Sequence, residues 1–306
     1  MSETVRVGAA IAIAGAVALG PAALPARGQQ ASAFDAGPGL SLVVENAKRE
    51  QASFDNGSIQ LKAGPGWLRG TKVLANFRLK LEFRTLAKDS DAGVVVRSWT
   101  GPDEWPKAGY RVRLSDAGGK AGSVLEGRRR EVKAVGAVAA PRWGAPGEWQ
   151  ALEVLAEGER VTVAVNGQPA GAFEVDERAG YLFLDARKGA VELRGLGLEP
   201  LPRQAERPAG AMTVDALQQA GGTLPQVTRQ VGPIYAYGTG LQGNVVLEAV
   251  VLPSGKAAGI RVTRSLVPDF DEAAIAALER WRFTPATLSG RPVPVIVSVE
   301  MAFTRQ

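Results

Sequence analysis

Between about Phe34 and Glu199, apolar and polar positions alternate in short runs punctuated by Gly, Pro and Asn-Gly. Phe77, Leu79, Leu81 and Phe83 alternate with Arg78, Lys80, Glu82 and Arg84; Tyr110, Val112 and Leu114 alternate with Arg111 and Arg113. Val161, Val163 and Val165 run into Asn166-Gly167, the strongest short signal for a two-residue hairpin turn. Val94 and Val96 oppose Val95 and Arg97, and Tyr181-Leu-Phe-Leu is apolar on both faces, as a central strand would be. Many short strands without a helical period predict a mainly β, two-sheet sandwich.

The pattern changes toward the end of the chain. Val245, Leu247, Ala249 and Val251 alternate up to Pro253-Ser254-Gly255, a turn that returns the chain into Ile260-Arg-Val-Thr263. Asp269 with Glu272 three residues on has capping-box spacing, and Ala274, Leu278 and Trp281 fall on one helical stripe before Pro285. Val293, Val295, Val297, Val299, Met301 and Phe303 then share one face of a final strand. The expected order is strand, strand, helix, strand: a small α+β module over 223–306. Residues 200–222 have linker composition and reach at most about 80 Å when extended.

At the N-terminus, Arg6 precedes an apolar run from Val7 to Leu19, followed by Pro21 and the small-residue pattern Ala31-Ser-Ala33. This predicts a secretory signal over 1–33 and an exported, periplasmic protein. An uncleaved inner-membrane anchor is the alternative, although a span needs about 20 apolar residues and Pro21 interrupts this run.

The chain has 306 residues, enough for two domains with cores of their own. It contains no Cys, so disulfides and lipid attachment through Cys are excluded. It contains no His either, which removes Ser-His-Asp triads and His-based metal sites. Carboxylate, Lys, Tyr or Arg chemistry remains, or a metal held by oxygens. A formal charge of +5 suits anionic partners, but basic residues are spread out, with one dense run at Arg128-Arg-Arg130. Nucleic acid is not an expected partner of an exported protein.

Gly243-Asn-Val-Val, Ser254-Gly255, Asp271-Glu-Ala-Ala, Trp281-Arg-Phe-Thr-Pro285-Ala and Gly290-Arg-Pro-Val together resemble the C-terminal domain of TonB-family energy transducers. The resemblance implies binding by strand addition, an exposed sheet edge pairing with an extended segment of an outer-membrane or other envelope protein. The family usually opens with Tyr-Pro and a short helix, where this chain has Tyr235-Ala236 and then Tyr-Gly-Thr-Gly. The entry helix is therefore expected to be shortened. A transducer role is an alternative, but the linker is shorter than such proteins use.

Asn76-Phe-Arg-Leu-Lys-Leu-Glu-Phe-Arg84, Asp91-Ala-Gly93-Val-Val-Val-Arg97, Gly109-Tyr110, Gly147-Glu-Trp149-Gln, Asn166-Gly167 and Gly180-Tyr-Leu-Phe-Leu, in that order, resemble the 3-keto-disaccharide hydrolase family. The resemblance implies a concanavalin-like jelly roll over 34–199 that handles saccharides. The family commonly has Glu and Gln where this chain has Arg111 and Arg113, so a carboxylate has become a cation. That change favours binding over catalysis, and active hydrolysis of keto- or acidic saccharides is the alternative.

Alternation places Arg111 and Arg113 on one face. With Arg97 on a neighbouring strand and Trp99 and Trp105 in the adjoining loop, beside Tyr110, they predict a groove for an acidic saccharide, since Arg forks match carboxylates and rings stack on sugars. The alternative pairs these arginines with carboxylates on a solvated face. Asp91, Asp116 and Glu126 are the candidate catalytic carboxylates, though no spacing singles them out. No cofactor is expected beyond calcium, which Asp89-Ser-Asp91 offers oxygens to hold.

Overall fold

The structure is a computed structural model that describes residues 9–10, 34–45, 51–99, 109–114, 124–126, 144–176, 178–203, 207–233 and 241–304, with backbone alone at 9–10 and 124–126. Two compact units emerge, one of residues 31–203 and one that joins residues 204–306 with the N-terminal 1–30. The stretch expected as a linker thus divides: residues up to Arg203 go with the first unit, and the rest with the second.

A two-residue strand, β1 (Ala9–Ala10), comes first in the chain and pairs within the C-terminal unit. The first large unit then contains β2 (Phe34–Gly37), β3 (Leu40–Glu45), β4 (Ala52–Asp55), β5 (Ser58–Lys62), β6 (Trp67–Gly70), β7 (Phe77–Thr85), β8 (Asp91–Ser98) and β9 (Tyr110–Arg113). It continues with β10 (Val124–Glu126), β11 (Gln150–Glu157), β12 (Arg160–Val165), β13 (Gln168–Glu174), β14 (Tyr181–Lys188) and β15 (Ala190–Pro200). They form two seven-stranded sheets: sheet I in the order β10-β9-β8-β14-β6-β3-β2, and sheet II in the order β13-β12-β11-β7-β15-β5-β4. The predicted sandwich is present, and β14 is central as its two-sided apolar pattern requires.

The alternation read from the sequence is what builds the core. Leu79, Leu81 and Phe83 of β7, Val94 and Val96 of β8, Val112 of β9, Val161 and Val163 of β12, and Leu182 and Leu184 of β14 all point into one cluster between the sheets. Asn166 and Gly167 take positive φ of 51° and 73°, the pair that a primed hairpin turn between β12 and β13 demands. Outward residues of sheet II pair across strands, as Arg84–Glu192 at 2.5 Å and Arg194–Glu82 at 2.6 Å. Trp149 lies between Arg84 and Arg194, with guanidinium carbons 4.7 and 4.0 Å from its ring.

The C-terminal unit holds β16 (Met212–Thr213), α1 (Val214–Gln219), β17 (Gln226–Arg229), β18 (Gly243–Val251), β19 (Ala257–Arg264), α2 (Pro268–Glu279), β20 (Arg282–Thr284), β21 (Ala286–Leu288), β22 (Arg291–Val293) and β23 (Val295–Phe303). The main sheet runs β1-β23-β18-β19, with β16 also on β23. The expected strand, strand, helix, strand order is present, with short strand pairs β17–β20 and β21–β22 added. Part of the supposed linker is folded: Thr213 caps α1 by accepting from the Ala216 amide at 3.2 Å. The shortened entry run at Tyr235-Ala236 lies outside the described residues.

Helix α2 differs from expectation at both ends. It starts at Pro268, with Val267 at the N-cap and no side-chain cap, because valine has no side-chain acceptor and proline at the first position presets a helical φ without an amide of its own to satisfy. Asp269 is therefore inside the helix, while Asp271 turns back to accept from the Leu266 amide at 3.1 Å. The helix ends before Trp281, whose indole donates to the Val231 carbonyl at 2.7 Å. Phe270 and the run Ala273–Leu278 are buried, so α2 is enclosed well beyond a single stripe, and Phe270 meets Phe303 edge-on at 4.6 Å.

Candidate functional site

The two outer faces of the sandwich differ. Sheet II carries paired charges, whereas the face of sheet I turned away from the core has a second buried layer: Trp67, Val95 and Phe183 are buried yet lie outside the central cluster. Strand register arranges this face in two rows. One row reads Glu45, Trp67, Asp185, Gly93, Arg113 across β3, β6, β14, β8 and β9. The next reads Val43, Arg69, Phe183, Val95, Arg111 over the same strands.

Arg111 crosses from its own row to the other. It stands opposite Val95, but its guanidinium reaches over Gly93 to Asp185, donating from Nε at 2.9 and 3.0 Å and from Nη2 at 2.7 Å. Gly93 makes this path: a Cβ there would lie 2.4 Å from Arg111 Nε and 2.7 Å from Cζ. Arg111 and Asp185 are 4% and 1% exposed, so the pair is a desolvated one. Nη1 faces Asp91 Oδ1 at 2.8 Å as an ion-pair contact without hydrogen-bond alignment.

The charges of this cluster are coupled. Burial pushes the Asp185 carboxyl above the ordinary carboxylate range, against the opposing pull of Arg111 and Arg187. Burial also acts against the Arg111 cation, but Asp185 and Asp91 together outweigh it and raise Arg111 further. Arg187 Nε lies 3.8 Å from Asp185 Oδ2.

The other end of the face is aromatic and acidic. Glu45 accepts from Trp67 Nε1 at 3.2 Å and from Arg69 Nε at 2.6 Å, and the Arg69 guanidinium sits 4.7 Å from the centre of the Tyr181 ring. Trp99 meets Tyr181 edge-on at 5.8 Å.

Several expected site residues take other roles. Arg97 does not join Arg111 and Arg113. Ser98 pairs with Tyr181 and Val95 with Phe183, so β8 has one extra residue between them, and Arg97 takes a positive φ of 52° at this bulge. Its side chain is fully buried and donates to Ala75 O at 2.9 and 3.2 Å and to Gly158 O at 2.7 Å, tying two loops together. Tyr110 belongs to the core, and its hydroxyl accepts from the Asp176 amide at 2.8 Å. Arg111 is a ligand candidate only through its flank, because its fork is spent on Asp185. Glu126 is on β10 opposite Tyr110, while its side chain, Trp105 and Asp116 lie outside the described residues.

Arg113 alone of the three arginines is half-buried with no hydrogen-bond or ion-pair partner among the described residues. Asp91, with 37% of its side chain exposed, is the described carboxylate candidate that reaches this surface. The calcium ligands expected at Asp89 and Asp91 are each opposed by a cation: Lys188 stands 2.6 Å from Asp89 and holds it below the ordinary carboxylate range, and Arg111 stands against Asp91. No cluster of three or more metal-ligating side chains occurs among the described residues.

Asp185, Trp67, Arg69 and Glu45 were not anticipated. Asp185 had a signal: the alternation Tyr181, Phe183, Asp185 puts a carboxylate on the outer face of an otherwise apolar central strand. The pairing of Asp185 with Arg111, 74 residues earlier, had none.

The architecture defines a jelly-roll sandwich followed by a small α+β module. Residues 34–198, more than half of the chain, match the 3-keto-alpha-glucoside-1,2-lyase-like domain, and the protein belongs to that family. Residues 233–304 match the Gram-negative bacterial TonB protein C-terminal domain. No curated protein matches the chain. Among solved structures, a putative glycosyl hydrolase from Parabacteroides distasonis is 15% identical, with 50% of this chain and 84% of that one covered and a TM-score of 0.42. A carbohydrate-binding module from Bacillus subtilis is 14% identical, covering 52% and 94%, with a TM-score of 0.40. A galectin-like protein, also from Bacillus subtilis, is 10% identical over 53% and 90%, with a TM-score of 0.42.

Proposed function

We propose that this is an exported envelope protein whose jelly roll binds a saccharide bearing a carboxylate, and whose C-terminal module joins it to another envelope protein by strand addition. The observation that carries the saccharide reading is Arg113: a half-buried cation without a partner among the described residues, at the end of a row that also holds Trp67, Asp185 and Gly93. The buried Arg111–Asp185 pair supports it by holding the floor of the face rigid. Family membership supports a sugar ligand, and the apolar N-terminal run supports export.

A second reading, cleavage of the saccharide, is favoured by Asp91, a part-exposed carboxylate fixed beside Arg111. The full-length chain is therefore incubated with neutral, 3-keto and uronic oligosaccharides, with calcium and with chelator, and bound and cleaved sugar are read by mass spectrometry. The binding reading expects intact uronic sugar to be retained, and Arg113→Ala to weaken it by roughly tenfold or more, as loss of a charge-assisted hydrogen bond would. Equal retention of neutral and uronic sugars, or no change in Arg113→Ala, refutes the acidic ligand. Cleavage abolished by Asp91→Asn establishes the enzyme instead.

A further inference from the structure

Two hairpin turns of sheet II carry the same pair of residues. Asn56-Gly57 joins β4 to β5, and Asn166-Gly167 joins β12 to β13. Their backbones are alike, with φ of 46° and 75° in the first turn and 51° and 73° in the second. Both asparagines are exposed, and a Cβ added to either glycine would meet nothing within 4 Å.

The side chains differ. Asn166 is anchored to β11: its Oδ1 accepts from the Ala151 amide at 2.8 Å, and its Nδ2 donates to Gln150 Oε1 at 2.7 Å. Neither the Asn56 side chain nor the Gly57 amide has a hydrogen-bond partner among the described residues. Topology is the cause. Asn166 follows β12, which has β11 on its other side, whereas Asn56 follows the edge strand β4, beyond which sheet II has no further strand among the described residues.

An unanchored asparagine followed by glycine is a reactive pair. Once base removes the Gly57 amide proton, that nitrogen can attack Asn56 Cγ: the N–Cγ bond forms, the Cγ–Nδ2 bond breaks, and ammonia leaves. Water then opens the resulting cyclic imide at either carbonyl, giving aspartate or isoaspartate. The attack requires Cγ to swing toward the following nitrogen. Asn166 must first give up both side-chain bonds, and Asn56 gives up none.

We propose that Asn56 is a site of spontaneous deamidation in the folded protein, and that Asn166, in the same kind of turn, is protected by its two anchors. The consequence is local. Isoaspartate carries the chain through its side-chain carbon, adding a backbone atom to the turn that sets Asp55 opposite Ser58 and Phe54 opposite Ile59. Because β4 pairs with β5 alone, this loosens one edge strand and the stack of Phe54 on Phe34, whose rings are 4.1 Å apart, and leaves the rest of sheet II paired.

The test ages the full chain in warm, mildly alkaline buffer, once folded and once in urea. Peptides carrying each pair are read by mass spectrometry for the mass gain of an amide turned into an acid. In urea the two pairs should convert at similar rates. In the folded protein Asn166 should convert roughly tenfold or more slowly than Asn56, as two hydrogen bonds to be broken imply. Amides of Ala52–Asp55 should exchange faster in aged protein than in fresh. Equal rates in the fold, a faster Asn166, or the same ratio in urea overturns the anchoring. An Asn56 that converts in urea but not in the fold overturns the site, and unchanged exchange in fully converted protein overturns the loosening of β4.

Discussion

Replacing Arg111 with methionine removes the partner of a carboxylate that is 1% exposed. Three donor contacts at 2.7 to 3.0 Å are lost, and Asp185 is left buried with Arg187 no closer than 3.8 Å. Breaking one side of a buried pair costs about 3–5 kcal/mol, because the remaining charge is neither hydrated nor neutralised. For a domain of this size that lowers the melting temperature by about 6–20 °C. The deficit has a defined pH dependence. The Asp185 carboxyl already sits above its ordinary value of 3.8 in the fold, so its ionisation reduces stability as pH rises through the interval between the unfolded and folded values. Without Arg111 the folded value moves higher, the interval widens, and the deficit against wild type grows toward neutral pH and shrinks in acid. Differential scanning calorimetry of full-length wild type, Arg111→Met and Arg111→Met/Asp185→Leu between pH 4 and 8 measures this. The double variant should recover most of the loss, since an apolar replacement of both partners leaves no charge buried. A single-variant loss below about 1 kcal/mol, or a loss independent of pH, would show that Arg111 is solvated and free for ligand, against the geometry.

Gly93→Ala should destabilise the sandwich by about 1–3 kcal/mol, because its Cβ would displace a buried guanidinium rather than an exposed chain end; chemical denaturation checks it, and a neutral result would mean that Arg111 reaches Asp185 by another path. In the C-terminal unit, Trp281→Phe takes the indole donor from the Val231 carbonyl and leaves a void where a 1% exposed ring stood, so a loss of about 1–3 kcal/mol is expected in urea titration, and no loss would show that neither the bond nor the packing contributes.

Much of the architecture was legible because the signals are local. A period of two assigns Phe77 to Phe83 and Tyr110 to Leu114 to strands, and tells which side of each is buried. The same rule put Arg111 and Arg113 on one outer face, correctly, and Arg97 with them, incorrectly. One extra residue in β8 was enough to redirect Arg97, since a bulge interrupts the alternation without changing the composition around it. The cap of α2 was misread for a similar reason: Asp269 and Glu272 have the right spacing, yet Pro268 can itself begin the helix.

By itself the sequence determined the mainly β class, the inward faces of the long strands, the Asn166-Gly167 turn, the two family domains and the absence of His and Cys chemistry. Only the tertiary structure decided what the outward arginines do. Arg111 is bound to a carboxylate 74 positions away across a bare glycine, Arg97 holds two loops, and Arg113 is half-buried with no partner among the described residues. Alternation is a property of one strand and can be read along it. Pairing is a property of neighbouring strands, and depends on register and bulges that are set when the sheet closes.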